Sequence, residues 1–184
     1  YITQAQRLES QGKFREAEKL YLTVSEKDLA INMYKKHRLF DDMIRLVQDL
    51  RPDLLKETHQ FLAQTLEIEG SLKDAERHYI EAVEWHSAVN MYRANEMWDD
   101  AFRVAKFYGG INACKRVTIA LLMAVGVIEG SKMLTKHGLI EAAIEHATEN
   151  GAFDMAFELT NHSMPKKLQD VHLKHALFLE DDER

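Results

Sequence analysis

The sequence predicts an all-α protein, a right-handed α-solenoid of stacked helical hairpins, on three observations. The first is composition: 184 residues are 46% hydrophobic with only eight Gly and two Pro, and alternating β-branched runs are absent, so helix is the state the chain favours. The second is the stretch from Gly70 to Ala82. Gly70 suits a turn of positive φ, Leu72 opens a helix, and Ala75, Tyr79 and Ala82 recur at three- and four-residue steps on one face. The third is recurrence. At an offset of 58 (70 − 12 = 58), Gly12, Phe14, Ala17 and Tyr21 repeat the same residue classes. An alanine lets a neighbouring helix approach and a tyrosine fills the gap beside it, but such a hairpin buries its apolar face only by stacking on others.

In chain order, residues 3–11 form a helix through Ala5 and Leu8, ended by Gly12, and Phe14 to Val24 form its partner. Asp28 is placed as the N-cap of the helix carrying Ile31, Met33 and Tyr34. Phe40 leads the next helix through Ile44, Val47 and Leu50, and Pro52 breaks it. A longer helix runs from Leu54 through Phe61, Leu62 and Leu66 to Gly70, where the hairpin recurs. Ala30, Asn32, Met33 and Tyr34 return as Ala88, Asn90, Met91 and Tyr92, and Asp41, Asp42 and Arg45 return as Asp99, Asp100 and Arg103. Within each unit a bulky residue precedes a small or flexible one by three: Phe14 with Ala17, Phe40 with Met43, Leu72 with Ala75, Trp98 with Ala101, and Phe153 with Ala156. These bulky residues are expected at equivalent buried sites. Gly109-Gly110 is a sharp break, Ile111 to Val125 is the most apolar segment, and Gly126, Gly130 and Gly138 delimit a degenerate hairpin. Leu168 to Leu179 is a further amphipathic helix in which Ala176, Leu179 and Glu180 match Ala5, Leu8 and Glu9. The units expected are 1–52, 53–110 and 111–167, with a further one starting over 168–184 of what reads as a piece of a longer chain.

Charge and punctuation narrow the function. A net charge of −6 with interspersed signs disfavours nucleic acid. The single cysteine, Cys114, excludes an intrachain disulfide and suits a reducing compartment. No apolar run is read as long enough to cross a membrane, and no signal peptide opens the chain.

The marker set of Gly, an aromatic at +2, Ala at +5, Tyr at +9 and Ala at +12 resembles the tetratricopeptide repeat across the junction of its helices. Val24 stands where the last alanine belongs in the first copy, the repeat's prolines are missing, and the 26-residue step (40 − 14 = 26) is shorter than the standard one. More specifically, the phrases over 8–21, 28–37, 40–47, 52–55, 89–94 and 171–180 resemble the repeat solenoid of the intraflagellar transport subunits. That likeness weakens over 111–135, and Glu183 stands where it leads one to expect glycine. It implies a subunit of the anterograde transport complex with propellers before the solenoid, partners among the other transport subunits, work in cilium assembly, and a place in the cilium or flagellum, basal body and cytoplasm.

The residues that could carry chemistry read more simply as structure. Asp41-Asp42 and Asp99-Asp100 approach the aspartate-rich magnesium motif of prenyl-transferring enzymes, but Arg45 and Arg103 stand where another carboxylate belongs. Acidic residues at a helix start favour its dipole, and an arginine one turn on pairs with them. Nine histidines include no His-Glu-x-x-His, and His172 with His175, the one close pair, lacks a third ligand and reads as solvated. Cys114 reads as a small packed side chain. Trp85, Trp98, Tyr34, Tyr92 and the methionines read as core, while Asn32 and Asn90 either satisfy backbone between hairpins or contact a peptide on the inner surface. No catalytic, cofactor-binding or metal residue is assigned, no cofactor is expected, and the protein-binding residues stay unassigned. The expectation is a non-enzymatic scaffold segment, with a peptide-binding adaptor or a vesicle-coat solenoid as alternatives and self-association through exposed solenoid ends left open.

Overall fold

The computed structural model describes residues 1–182. Its regular structure is entirely helical, and helix makes up 86% of the described residues. The helices are α1 (Ile2–Ser10), α2 (Phe14–Thr23), α3 (Lys27–Lys36), α4 (Phe40–Leu50), α5 (Leu55–Glu69), α6 (Leu72–Glu81), α7 (Trp85–Ala94), α8 (Trp98–His137), α9 (Ile140–Glu149), α10 (Phe153–Ser163) and α11 (Leu168–Asp182). No strand occurs among the described residues.

One turn is used eight times. A residue of positive φ, at 12, 25, 38, 70, 83, 96, 138 or 151, stands two positions before the first residue of a helix. The amide of the next residue donates to the carbonyl five back, as in Lys13 to Leu8, Glu26 to Tyr21 and Leu139 to Leu134, at 2.8–2.9 Å. These bonds satisfy carbonyls that the helix end would otherwise leave bare. Glycine fills four of the eight turns; Ser25, Arg38, Val83 and Glu96 fill the rest. The turn at Ser25 corrects the cap assignment: it starts α3 at Lys27 after Glu26, so Asp28 falls inside the first turn and pairs with Arg51 at 2.7 Å. Two other junctions use proline. Arg51 and Met164 adopt nearly the same backbone angles (φ −137, ψ 61 and φ −143, ψ 67) before short 3₁₀ turns at Pro52–Leu54 and Pro165–Lys167.

The chain forms two compact units, Tyr1–Glu84 and Trp85–Arg184. In the first, each helix from α1 to α6 packs on the next, around Ala5, Ala17, Tyr21, Ala30, Tyr34 and Leu46. In the second, α7 to α11 also pack in sequence, with α10 returning to α8 and α11 to α9. This arrangement is compatible with an α-solenoid. Matched positions share burial. Ala17 and Ala75, Tyr21 and Tyr79, Ala30 and Ala88, Met33 and Met91, and Tyr34 and Tyr92 are all buried. The bulky markers match in position, each opening the helix after a turn, but less well in depth. Trp98 and Phe153 are buried whereas Phe14, Phe40 and Leu72 are only half-buried, because the first residue of a helix lies at its rim and the small residue one turn on takes the interior place.

Helix α8 corrects two further expectations. Its chain turns sharply at Gly110 (φ 72, ψ −164) and Gly126 (φ 86, ψ 169), giving segments 98–109, 111–125 and 127–137. Gly130 breaks nothing: it lies buried inside the last segment, and a Cβ there would meet Leu122 at 2.8 Å. The apolar run also exceeds what the sequence reading allowed, since α8 contains an 18-residue window of mean hydropathy 1.7, long and apolar enough to cross a membrane. The two breaks limit that. The longest unbroken segment, 111–125, is about 22 Å long at 1.5 Å per residue, shorter than a hydrocarbon core of about 30 Å.

Candidate interaction surface

The second aspartate of each pair is held by an arginine. Arg45 meets Asp42 at 3.4 Å and Arg103 meets Asp100 at 3.3 Å, each one turn apart. Asp42 also receives Arg15 at 3.0 Å, while Asp99 is engaged by His137 at 2.7 Å and Lys136 at 3.3 Å. Among the described residues no group of three His, Cys, Asp or Glu could hold a metal ion.

Behind Asp42 lies a clasp that sequence reading missed. Glu18 of α2 is 8% exposed. It accepts a 2.6 Å hydrogen bond from the phenol of Tyr34 on α3 and a 2.5 Å bond from Nη2 of Arg45 on α4. Burial pushes the Glu18 carboxyl up, but the bonds from Arg45 and Tyr34 outweigh it and hold the group below its ordinary range. Burial and the Glu18 carboxylate push the Tyr34 phenol up. A charged residue and a tyrosine at helical spacing look the same in sequence whether or not they meet. Only the packing of three helices reveals the pairing.

The histidines act mainly as flat partners for aromatic rings. His172 and His175 are not simply solvated: His172 lies 4.5 Å from the Phe157 ring and His175 4.5 Å from that of Phe153, centroid to centroid. His37 and His137 lie tilted against Phe14 and Phe102, at centroid distances of 4.8 and 5.1 Å. His59 and His78 join α5 to α6 through their Nδ1 atoms at 2.9 Å, and burial, then the neighbouring His59 and Arg77, push His78 down. Cys114 is buried, its thiol pushed up by that burial, with Sγ 4.0 Å from the Phe102 carbonyl.

The matched asparagines lie on the surface, each in a groove. Asn32 and Lys35 of α3 border a small hollow of about 160 Å³ against α5, floored by Val47 and Phe61. Asn90 and Arg93 of α7 border a larger cleft of about 530 Å³ against segment 111–125. The apolar floor of this cleft is Trp85, Val89, Gly109, Ala113 and Val117, and its polar rim is His86, Asn90, Arg93, Asn112 and Arg116. Gly109 is what lets the Trp85 indole reach the backbone, because a Cβ at 109 would lie 2.4 Å from its ring. The Gly109-Gly110 pair thus serves close approach at its first residue and a bend at its second. Two lining residues, Asn90 and Trp85, stand out in the sequence; Asn112 and Arg116 do not, since nothing repeats them.

No family model matches the chain. Curated relatives match along nearly all of it. The intraflagellar transport protein 172 homolog of Homo sapiens is 54% identical over 182 residues, 99% of this chain. Intraflagellar transport protein 172 of Chlamydomonas reinhardtii is 48% identical over 186 residues, and intraflagellar transport protein osm-1 of Caenorhabditis elegans is 39% identical over 184, each across 100% of the chain. This chain spans only about a tenth of the length of these relatives, 10–11%. Glu183, the one position where the sequence departs from expectation at its end, lies outside the described residues. With two helical units whose buried positions repeat and homology that runs through both, the chain belongs to the intraflagellar transport protein 172 family, as a segment of it.

Proposed function

We propose that this segment is a non-enzymatic, right-handed α-solenoid scaffold of tetratricopeptide type that binds other transport subunits in trains and so serves cilium assembly, rather than acting as a passive spacer. Its locale is the cilium or flagellum. The units 1–52, 53–110 and 111–167 are the repeats we assign within it. One observation carries the reading. Identity to the human relative at 54% of 182 positions amounts to about 98 residues, whereas 46 described residues are buried. At least half of the identical positions therefore lie outside the fully buried set. A spacer has to keep its core, its turns and its length; a surface that other proteins recognise has to keep exposed side chains as well. The same whole-length homology favours ciliary transport over the vesicle-coat alternative.

The test replaces residues 1–184, within the full-length protein, by an unrelated helical-repeat solenoid of matched length and curvature. Cilium length and train entry are then measured. Short or absent cilia from a chimera that is folded and expressed support binding by the segment. Normal cilia refute it and leave a spacer.

A further inference from the structure

Two arginines of the Trp85 cleft lack the partner that most others in the chain have. Arg15, Arg38, Arg45, Arg51, Arg77 and Arg103 each pair with a carboxylate. Among the described residues Arg93 and Arg116 form no such pair, and both line the one cleft. Each stands one turn beyond an asparagine on its own helix: Asn90 and Arg93 on α7, Asn112 and Arg116 on segment 111–125. The rim thus presents two amide–guanidinium pairs from facing helices, and no lining residue of this cleft is acidic. In a chain of net charge −6 this local excess of positive charge is against the average. It leaves strong bidentate donors without acceptors.

We propose that this cleft is a docking site for an acidic, extended segment of a partner protein, in which carboxylates meet Arg93 and Arg116 and an intervening apolar side chain rests on Trp85 and Val89. The inference rests on the partner-binding reading above and gives it a place and a chemistry. Two features select a peptide over a bare anion. Asparagine offers both a donor and an acceptor, the complement of a peptide group, and Asn90 and Asn112 place one on each side. The apolar floor rewards a side chain that phosphate does not have. The overall negative charge of the chain opposes an extended polyanion such as RNA or an anionic bilayer.

The test uses the full-length protein and a fluorescein-labelled probe of sequence Leu-Asp-Asp-Leu-Glu-Glu-Leu, with the amide analogue Leu-Asn-Asn-Leu-Gln-Gln-Leu as its neutral twin, followed by anisotropy at about 150 mM salt. The acidic probe is expected to bind, the amide twin to bind roughly tenfold more weakly or worse, and the double variant Arg93→Gln/Arg116→Gln to lose a similar factor, since each charge-assisted bond is worth about that much. Arg7→Gln, which removes an unpaired arginine outside the cleft, should leave the affinity unchanged. Asn112→Asp, which places a carboxylate within reach of Arg116, should also weaken the probe and does so without deleting either cation. Equal affinity of both probes, or wild-type affinity in the double and Asn112→Asp variants, overturns the proposal. Displacement of the probe by inorganic phosphate at equal charge, with no loss when its leucines become glycines, reduces the cleft to an anion site and also overturns it. In cells, a double variant that has lost the probe yet enters trains normally, where the whole-segment replacement does not, overturns the docking site and spares the partner-binding reading. Normal cilia from both overturn that reading and this inference together.

Discussion

Replacing Tyr34 by Phe removes one oxygen and little else, which makes it a clean probe of the clasp between α2, α3 and α4. Tyr34 is fully buried and its phenol donates at 2.6 Å to a Glu18 carboxylate that is 8% exposed. A hydrogen bond to a charged acceptor is worth about 1.5–3 kcal/mol. Glu18 keeps its bond from Arg45 in the variant, so the expected loss is about 2 kcal/mol, toward the middle of that range. Urea unfolding should show a lower midpoint with an unchanged slope. A double-mutant cycle with Glu18→Gln should give a coupling of about 1–2 kcal/mol. The pH dependence supplies a second readout. The Glu18 carboxyl is held below its unfolded value, so the stability it contributes is present at neutral pH and is lost as pH falls from about 4.3 through the folded value. Tyr34→Phe deletes one of the bonds that depress it, so the gap between wild type and variant should narrow in acid. A variant within about 0.5 kcal/mol of wild type at neutral pH would refute the argument. So would a gap that stays constant down to the acid transition.

Three further outcomes follow from packing and turn geometry. Ala75 is 0% exposed at the contact of its hairpin, so Ala75→Phe should overpack it and lower stability by about 1–3 kcal/mol; a wild-type melting curve would count against the shared interior site. Val83, β-branched and 79% exposed, sits at φ 59, so Val83→Gly should relieve about 1 kcal/mol of backbone strain and raise the melting temperature; a fall would show that its side chain contributes more than the strain costs. Because Arg45 and Arg103 already engage Asp42 and Asp100, micromolar magnesium or zinc should leave the melting temperature unchanged, since a ligand stabilises only by binding the native state; a reproducible rise would reopen the cation reading.

Helix order was legible because the apolar period and the turn residues agree. Gly12 and Gly70 announce their turns, and each opens a helix two residues on. Arg38 and Glu96 announce nothing, since charged residues at positive φ look like any other surface position, yet the phenylalanine and tryptophan two places later still mark where the helices begin. Gly130 misled because a glycine chosen for close packing against Leu122 is the same letter as one chosen for a turn. The surface was less legible than the core. Asn90 was visible through its repeat partner Asn32, but the cleft also needs Asn112 and Arg116, which belong to the segment where the period fails, and only the bend at Gly110 brings that segment against α7.

The repeated turn bears on how such a chain is made. Each hairpin closes through a bond spanning five residues, and within each unit most helices find their partner in the element just before or after. Contacts of short sequence separation need little loop closure and form quickly. During synthesis at about 5–20 residues per second, a hairpin of this kind is complete as soon as its second helix has left the ribosome. A segment wired in this way can then be assembled from its N-terminal side pair by pair. Apolar faces wait only for the next two helices and not for the far end of the chain, which shortens the interval in which they could aggregate.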